Sequence, residues 1–208
     1  MFVCFEGIDG AGKSTQARML HDKLKADGQP VELVADPGTT SIGTAIRQIL
    51  LHNDAPITSM AQMLLFSAAR AELAAYIKSK LADGVAIICD RWLLSTLVYQ
   101  GEINGIDLEL ILTIFSGTSN ITPDLCVLLD LPPEAARERM GAPRDRYERR
   151  SLEDRYRMRD AYARYSTHPL VAQRLCRINA VGSPDDTHKE VHRIYSNTAR
   201  GQQLQPIA

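Results

Sequence analysis

The chain has 208 residues, 45% of them hydrophobic, which is enough for one domain with a complete core. Its 24 Lys and Arg residues nearly balance its 25 Asp and Glu residues, and a net charge of −1 predicts no general attraction to nucleic acid or to a membrane. No charged-then-apolar leader is present and no apolar run reaches the roughly 18 residues of a membrane span, so we expect neither secretion nor membrane insertion.

Five short apolar stretches alternate with segments of helical periodicity. They lie at 2–5, 31–35, 85–89, 125–131 and, more weakly, 174–179. Continuous apolar runs of this length are typical of parallel strands buried on both faces. The pattern predicts an α/β fold with a doubly wound, five-stranded parallel sheet in a single domain over residues 1–196.

Several helix boundaries can be read from local signals. A helix is expected over Lys13–Ala26, and a long one from about Ser59, with Ser59 and Gln62 as a capping box, to the Asp-Gly pair at 83–84. The Pro-Pro pair at 132–133 opens another helix. Residues 197–208 lack periodicity, which predicts a loose tail.

The first apolar stretch runs into GIDGAGKS, from Gly7 to Ser14, which has the spacing G-x-x-x-x-G-K-S. Glycines let backbone N–H groups converge on phosphate oxygens, and the following helix directs its N-terminus at the anion. In this pattern Lys13 reaches the β- and γ-phosphates and Ser14 holds Mg²⁺. The sequence therefore predicts a phosphate-binding loop, the alternative being a purely structural glycine turn.

Asp90 and Arg91 follow the third apolar stretch. Ligands in doubly wound sheets bind beyond the carboxyl ends of the strands, so we expect both side chains beside the phosphate loop. The acid could organise Mg²⁺ and the guanidinium could hold a phosphoryl oxygen. An ion pair that merely ends the strand is the structural alternative.

Phe66 and Arg70 lie four residues apart on one face of the long helix. A flat ring beside a planar donor could hold a nucleobase, although a phenylalanine in such a helix is more often part of the core.

Ten of the eighteen arginines lie between residues 137 and 164, with six acids among them. The loop-like segment 141–150 could form a flap that closes over phosphates, whereas other arginines of this region are expected on a solvated helix. His188 and His192 share a helical face and could bind a metal, but a solvated pair is favoured because no carboxylate triad of a metal site accompanies them. The four cysteines show no metal-binding spacing, which favours buried thiols in a reducing cytoplasm.

The order of five motifs resembles the thymidylate kinase family over about residues 2–180. These motifs are FEGIDGAGKST, DPGTT at 36–40, LLFSAAR at 64–70, DRWLLSTLVYQG at 90–101 and DRYE at 145–148. The resemblance implies transfer of the γ-phosphoryl group of ATP to dTMP, with Mg²⁺ as cofactor, and a homodimer. It implies candidate catalytic residues at Asp9, Lys13, Arg91 and Arg146.

The same resemblance implies the binding residues. The ATP site would comprise Gly7, Ile8, Asp9, Gly10, Ala11, Gly12, Lys13, Ser14 and Thr15. Phe66 would stack on thymine, Arg70 would bond its edge, and Thr96 and Gln100 would help to read it. Tyr99 would crowd the 2′ position, Arg47 and Arg91 would hold the acceptor phosphate, and Asp9 and Asp36 would lie near the acceptor sugar, the phosphate and the metal. Ser14 and Asp90 would serve the metal.

The sequence departs from the family pattern at three positions and in the phosphate loop. Asp36 stands where many relatives carry Glu, Trp92 replaces a commoner Tyr, and Leu94 occupies an often polar position. The phosphate loop contains no arginine, so the transition-state arginine is expected in the flap at 141–150, which we call the lid, at Arg146, with Arg149 and Arg150 on the outer, solvated side.

Three other functions compete. A switch GTPase is disfavoured because the sequence has no N-K-x-D motif and no D-x-x-G motif after the second or third strand. A small kinase with another acceptor stays open, because the phosphate loop alone does not select the acceptor. A catalytically inactive nucleotide-binding regulator is disfavoured by the intact Lys13, Ser14, Asp90 and Arg91.

Overall fold

The structure is a computed structural model and describes residues 1–52, 55–142 and 147–200. Within these ranges the strands are β1 Phe2–Glu6, β2 Val31–Ala35, β3 Ala86–Asp90, β4 Leu125–Asp130 and β5 Leu175–Asn179. They form one parallel sheet in the order β2-β3-β1-β4-β5. The doubly wound α/β fold predicted from the five apolar stretches is confirmed. The observed strand ends differ from the predicted ones by no more than one residue.

Helices cover both faces of the sheet. Those of the described ranges are α1 Lys13–Ala26, α2 Ser41–His52, α3 Ser59–Ala82, α4 Leu93–Thr96, α5 Leu108–Thr118, α6 Pro133–Met140, α7 Leu152–Tyr165, α8 Pro169–Ala172 and α9 Pro184–Ala199. A π-helical segment, Leu97–Ile103, continues α4. None of the helices in these ranges combines the length and the apolar character needed to cross a bilayer.

The long helix begins at Ser59 as predicted, but its predicted capping box and the predicted start of the C-terminal tail are wrong. The N-cap of α3 is Thr58, whose hydroxyl accepts from the Ala61 N–H, and Gln62 donates to the Ile57 carbonyl instead of closing a capping box. Thr58 and Ser59 are both good caps, and the chain uses the earlier one. The expected loose tail begins too early, because α9 continues to Ala199; residues 201–208 lie outside the described residues.

The central position of β1 places the site. All five residues of β1 are buried, and the strand pairs with β3 on one side and β4 on the other. Its Phe5 is in register with Asp90, so the loop after β1 and the Asp-Arg pair after β3 leave the same edge of the sheet side by side. This is the edge at which open α/β sheets bind ligands.

Candidate functional site

An open cavity of about 750 Å³ lies at the carboxyl edge of the sheet. Most of the residues predicted from the sequence line it: Asp9, Gly10, Ala11, Gly12, Lys13, Ser14, Thr15, Asp36, Arg47, Phe66, Arg70, Asp90, Arg91, Thr96, Tyr99 and Gln100. Gly7 and Ile8 belong to the same loop but are not part of the wall. Arg146 lies outside the described residues. The structure thus brings together predicted residues from four of the five sequence motifs, with Arg47 beside them.

The phosphate loop packs tightly against its surroundings. Gly10 has a φ of +87°, and a Cβ there would collide with the carbonyl oxygen of Ala136 in α6. Gly7, with a φ of +139°, faces the Leu129 carbonyl in the same way. Glycine is therefore required at both positions by close backbone approach as well as by φ.

Lys13 is buried at the start of α1. Its ammonium donates to the Ile8 carbonyl at 2.9 Å, which folds the side chain back over the loop. Burial, followed by the nearby charge of Arg91, lowers the pKa of Lys13 to about 8. An anion bound beside this ammonium would stabilise its charged form and raise its pKa again.

Ser14 and Asp90 are direct neighbours. The Ser14 hydroxyl donates to Oδ2 of Asp90, and Oδ1 of Asp90 is buried with no hydrogen-bond partner among the described residues. The predicted pair of metal-binding residues therefore presents adjacent oxygen atoms, the donor type that Mg²⁺ prefers.

Arg91 is the most connected cation of the cavity wall. Its backbone is left-handed, with a φ of +75°, an uncommon conformation for a residue other than glycine. The guanidinium pairs with Asp9 and lies 5.1 Å from the centre of the Tyr99 ring. Burial acts to raise the pKa of Asp9, but the charges of Arg91 and Lys13 outweigh it, so this pKa lies below its usual value.

The Tyr99 hydroxyl completes this cluster by donating to Oδ2 of Asp9 at 2.8 Å. Burial raises the pKa of Tyr99, which keeps the phenol protonated and able to donate. The simple alternative, in which Asp90 and Arg91 pair with each other, does not describe the structure, because the two side chains bond different partners.

Arg70 is held inside the wall. Its Nε donates to Oδ2 of Asp36 at 2.5 Å and its Nη2 donates to the Thr96 hydroxyl, and both Arg70 and Asp36 are only 4% exposed. Burial raises the pKa of Asp36 against the opposing charge of Arg70. Sequence spacing placed Arg70 beside Phe66 but gave no sign of this buried ion pair.

Two more polar atoms of this half of the cavity lack partners within the described ranges. They are Oδ1 of Asp36 and Nε2 of Gln100, both buried. Arg47 donates to the Pro37 carbonyl at 2.8 Å and also lines the cavity. The half around Phe66 therefore offers the flat Phe66 ring, buried donors and a carboxylate oxygen.

Residues 147–150 include site residues that the sequence analysis missed. Tyr147 lines the cavity, with its ring centre 6.0 Å from Phe66 and 6.2 Å from Tyr99, and its hydroxyl donates to Gln62 at 2.8 Å. Arg150 lies 5.8 Å from the Tyr99 ring centre and 5.5 Å from that of Tyr147. Its expected position on the outer, solvated side is wrong.

Tyr147 could have been identified from the sequence, because it directly follows the proposed lid arginine. The sequence contains no signal for Arg150, because its position depends on how the chain packs against the tyrosine rings. Arg149, by contrast, is exposed as expected.

Parts of α6, of α9 and of the turn before α9 also line the cavity. Its wall includes Arg139, Gly182, Pro184 and Thr187, none of which the sequence singled out. Arg139 donates to the carbonyls of Ala180 and Gly182 and so fixes the turn before α9.

The histidine pair remains outside the site. His188 and His192 have ring centres 6.4 Å apart on α9, and burial, followed by the neighbouring His192, lowers the pKa of His188. Within the described part of the chain, no cluster of three or more His, Cys, Asp or Glu side chains is placed to hold a metal.

Known proteins match the chain over most of its length. The family model described as thymidylate kinase matches residues 5–191. A thymidylate kinase of Pelodictyon phaeoclathratiforme is 41% identical over 194 residues, covering 87% of this chain and 88% of the relative. One from a Synechococcus species is 40% identical over 187 residues, with 88% of each chain covered.

A solved structure agrees with these relatives. The crystal structure of thymidylate kinase from Ehrlichia chaffeensis matches with a TM-score of 0.76 and 29% identity, covering 94% of this chain and 98% of that one.

Proposed function

The chain belongs to the thymidylate kinase family, and we propose that its cavity brings ATP and dTMP together for transfer of the γ-phosphoryl group, giving dTDP and ADP. The observation that carries this arrangement is that one cavity collects both the phosphate loop and the Phe66–Arg70 pair. Phosphoryl transfer needs the acceptor oxygen in line with the γ-phosphorus and cations around the developing charge, and it needs little covalent chemistry from the protein.

The donor nucleotide is proposed to lie over the phosphate loop. Residues 7–15 offer the backbone N–H groups and the N-terminus of α1, and Lys13 offers a buried ammonium for the β- and γ-phosphates. Its pKa of about 8 supports this role, because the phosphates would stabilise its charged form.

Mg²⁺ fits the oxygen atoms of Ser14 and Asp90. The orphaned Oδ1 of Asp90 is the observation in favour, because a metal-bound water or the ion would satisfy it. When bound, the ion neutralises charge on the β- and γ-phosphate oxygens. Ser14, at the start of α1, and Asp90, at the end of β3, would orient it.

The acceptor is proposed to lie with its base against Phe66. Thymine presents carbonyl acceptors, and Arg70 and the unpartnered Nε2 of Gln100 are donors on the adjoining wall, with Thr96 beside them. Oδ1 of Asp36 could accept from the sugar hydroxyl, together with Asp9.

The remaining acceptor contacts are proposed to fix the sugar and the phosphate. Tyr99 would crowd the sugar because its hydroxyl is held by Asp9. Arg47 and Arg91 would hold the phosphate, so that the nucleophilic oxygen is presented to the donor.

We assign the lid, about residues 141–150 of a single kinase domain, to closure over the donor phosphates, with Arg146 as its transition-state cation. Support comes from the D-R-Y-E match and from Tyr147 and Glu148, the next residues in the chain, which line the cavity.

We also propose a homodimer in a reducing, cytoplasmic compartment. Helices α2 and α3 pack together and present exposed apolar side chains at Ile42, Ile49, Met60 and Leu64. Such a patch is typical of an interface between copies. All four cysteines are buried free thiols, which supports the reducing compartment.

The test is to incubate the protein with Mg·ATP and a panel of nucleoside monophosphates and to measure ADP formation. We expect turnover with dTMP and much less with dCMP, dAMP and dGMP, since these bases place amino groups or a second ring in the thymine position. Preferential turnover of any other member of the panel would refute the assignment of the acceptor site.

A further inference from the structure

Glu6 is a fully buried carboxylate that the proposed reaction does not use. It is the last residue of β1, has no exposed surface, and does not line the cavity. Burial raises the pKa of Glu6, opposed by its hydrogen bond with Ser95 and by the charge of Arg91. Burying a carboxylate is costly, and an apolar residue of similar size is often at least as stabilising, so its contacts require an explanation.

The contacts of Glu6 all lead to the segment that begins with Arg91. Its Oε1 accepts from the backbone N–H of Trp92 at 2.8 Å and of Ser95 at 3.2 Å, and its Oε2 accepts from the Ser95 hydroxyl. Trp92 is the N-cap of α4 and provides no side-chain cap of its own. Glu6 therefore satisfies N–H groups at the start of α4 from the neighbouring strand.

The Ser95 hydroxyl links Glu6 to the guanidinium of Arg91. Because its hydrogen is donated to Glu6, the oxygen is left to accept, and Nη1 of Arg91 donates to it at 3.0 Å. The Tyr162 hydroxyl lies 2.9 Å from the same oxygen and accepts from Arg91 at 3.2 Å. The carboxylate thus fixes the direction of the hydrogen bonds behind Arg91.

Backbone geometry gives a second reason for this arrangement. Arg91 has its left-handed φ immediately before Trp92, whose N–H is held by Glu6, while the Arg91 N–H donates to the Phe5 carbonyl at 3.0 Å. A strained residue persists only where its neighbours over-determine it, and contacts on both sides of Arg91 do so here.

We propose that Glu6 is a positioning residue that holds the Arg91 guanidinium toward the acceptor phosphate through Ser95 and through the N-terminus of α4. This inference rests on the proposed role of Arg91 in binding that phosphate. Glutamine at position 6 keeps the shape but replaces Oε2 with an amide donor. The Ser95 oxygen would then face donors from both sides, and the fixed direction of the network would be lost.

The test compares the affinities for dTMP and for thymidine, which lacks the phosphate. In Glu6→Gln we expect dTMP affinity to fall about tenfold while thymidine affinity stays within about twofold, the usual scale for a weakened hydrogen bond to a charged group. Arg91→Ala should likewise lower the ratio of the dTMP affinity to the thymidine affinity. In the double variant, Glu6→Gln should add little to Arg91→Ala, because coupled residues are not additive.

Asp124→Asn is the matched control, because Asp124 accepts from the Phe2 N–H at the other end of β1. It should lower stability without changing the ratio of the two affinities. If Glu6→Gln does not fold, Ser95→Ala takes its place with the same expectation. If Arg91→Ala changes the ratio of the dTMP and thymidine affinities but Glu6→Gln or Ser95→Ala does not, the positioning role of Glu6 is overturned and the role of Arg91 stands. An unchanged ratio in Arg91→Ala would overturn the phosphate assignment and this inference together.

Discussion

Replacing Arg70 with alanine should destabilise the fold and weaken dTMP binding at the same time. The guanidinium bonds Asp36 and Thr96 inside the cavity wall and lies 5.7 Å from the centre of the Trp92 ring. Its removal leaves the Asp36 carboxylate buried without its cation, and it takes away the donor proposed for the thymine edge.

The size of the stability loss follows from burial. Breaking a buried ion pair by removing one partner costs about 3–5 kcal/mol, and the lost contact with Trp92 adds about 0.5–1 kcal/mol. Protonation of Asp36 limits the loss, because burial already raises its pKa. We expect a decrease in the free energy of unfolding of about 3 kcal/mol, a large share of the roughly 5–15 kcal/mol that holds a domain together.

The assay is urea unfolding followed by circular dichroism near neutral pH, with steady-state kinetics well below the unfolding midpoint. The KM for dTMP should rise about 10- to 100-fold with little change in the KM for ATP. Arg177→Ala is the control, because Arg177 forms a half-exposed pair with Asp130 and its loss should cost less than about 1 kcal/mol.

A second substitution separates stability from binding. Asp36→Asn in the Arg70→Ala background removes the buried charge, so it should recover part of the lost stability but none of the dTMP affinity. If Arg70→Ala costs no more than Arg177→Ala, the buried pair does not stabilise the wall. Equal increases in both KM values would instead point to a general distortion of the cavity.

Three further outcomes are expected from the geometry. Since burial lowers the pKa of Lys13 to about 8, calorimetry of Mg·ATP binding near that pH should show uptake of roughly half a proton that Lys13→Met lacks; equal uptake in both proteins would contradict this. Arg150→Ala should raise the KM for dTMP roughly fivefold, because it lies on two tyrosine rings of the acceptor half, whereas the exposed Arg149→Ala should change it little. Gly10→Ala should abolish ATP binding in a thermal-shift assay, while Gly12→Ala, which is strained by a φ of +97° but has no atom within 4 Å of the added Cβ, should retain part of it.

The strands and the phosphate loop could be predicted because their signals are local. A continuous apolar run identifies each parallel strand, and α1 begins and ends where the sequence predicted, at Lys13 and Ala26. The start of α3 was predicted correctly at Ser59, but its cap was assigned to Ser59 instead of Thr58, because both residue types are good caps. Local patterns of this kind fix the type of an element better than its ends.

The contacts within the site could not be predicted, because they join distant parts of the chain. Arg70 and Asp36 are 34 positions apart, and Ser95 and Glu6 are 89 positions apart. Arg150 packs on the Tyr99 ring instead of facing solvent, and the periodicity of the sequence does not indicate this contact. Sequence spacing could therefore say which residues gather at the sheet edge, but not which partner each of them bonds.

Three of the unpartnered polar atoms of the cavity explain why this wall is built as it is. Oδ1 of Asp90, Oδ1 of Asp36 and Nε2 of Gln100 are buried without hydrogen-bond partners in the described part of the chain. Each such atom costs about 1–3 kcal/mol, so a fold selected for stability alone would replace them with apolar groups. Their chemistry differs by place: a carboxylate oxygen lies beside the phosphate loop, and a carboxylate oxygen and an amide donor lie beside Phe66. In the proposed complex a cation or its water would satisfy the first, whereas a sugar hydroxyl and a base carbonyl would satisfy the other two. The stability lost at these positions is thus matched to the two ends of the reaction that the family performs.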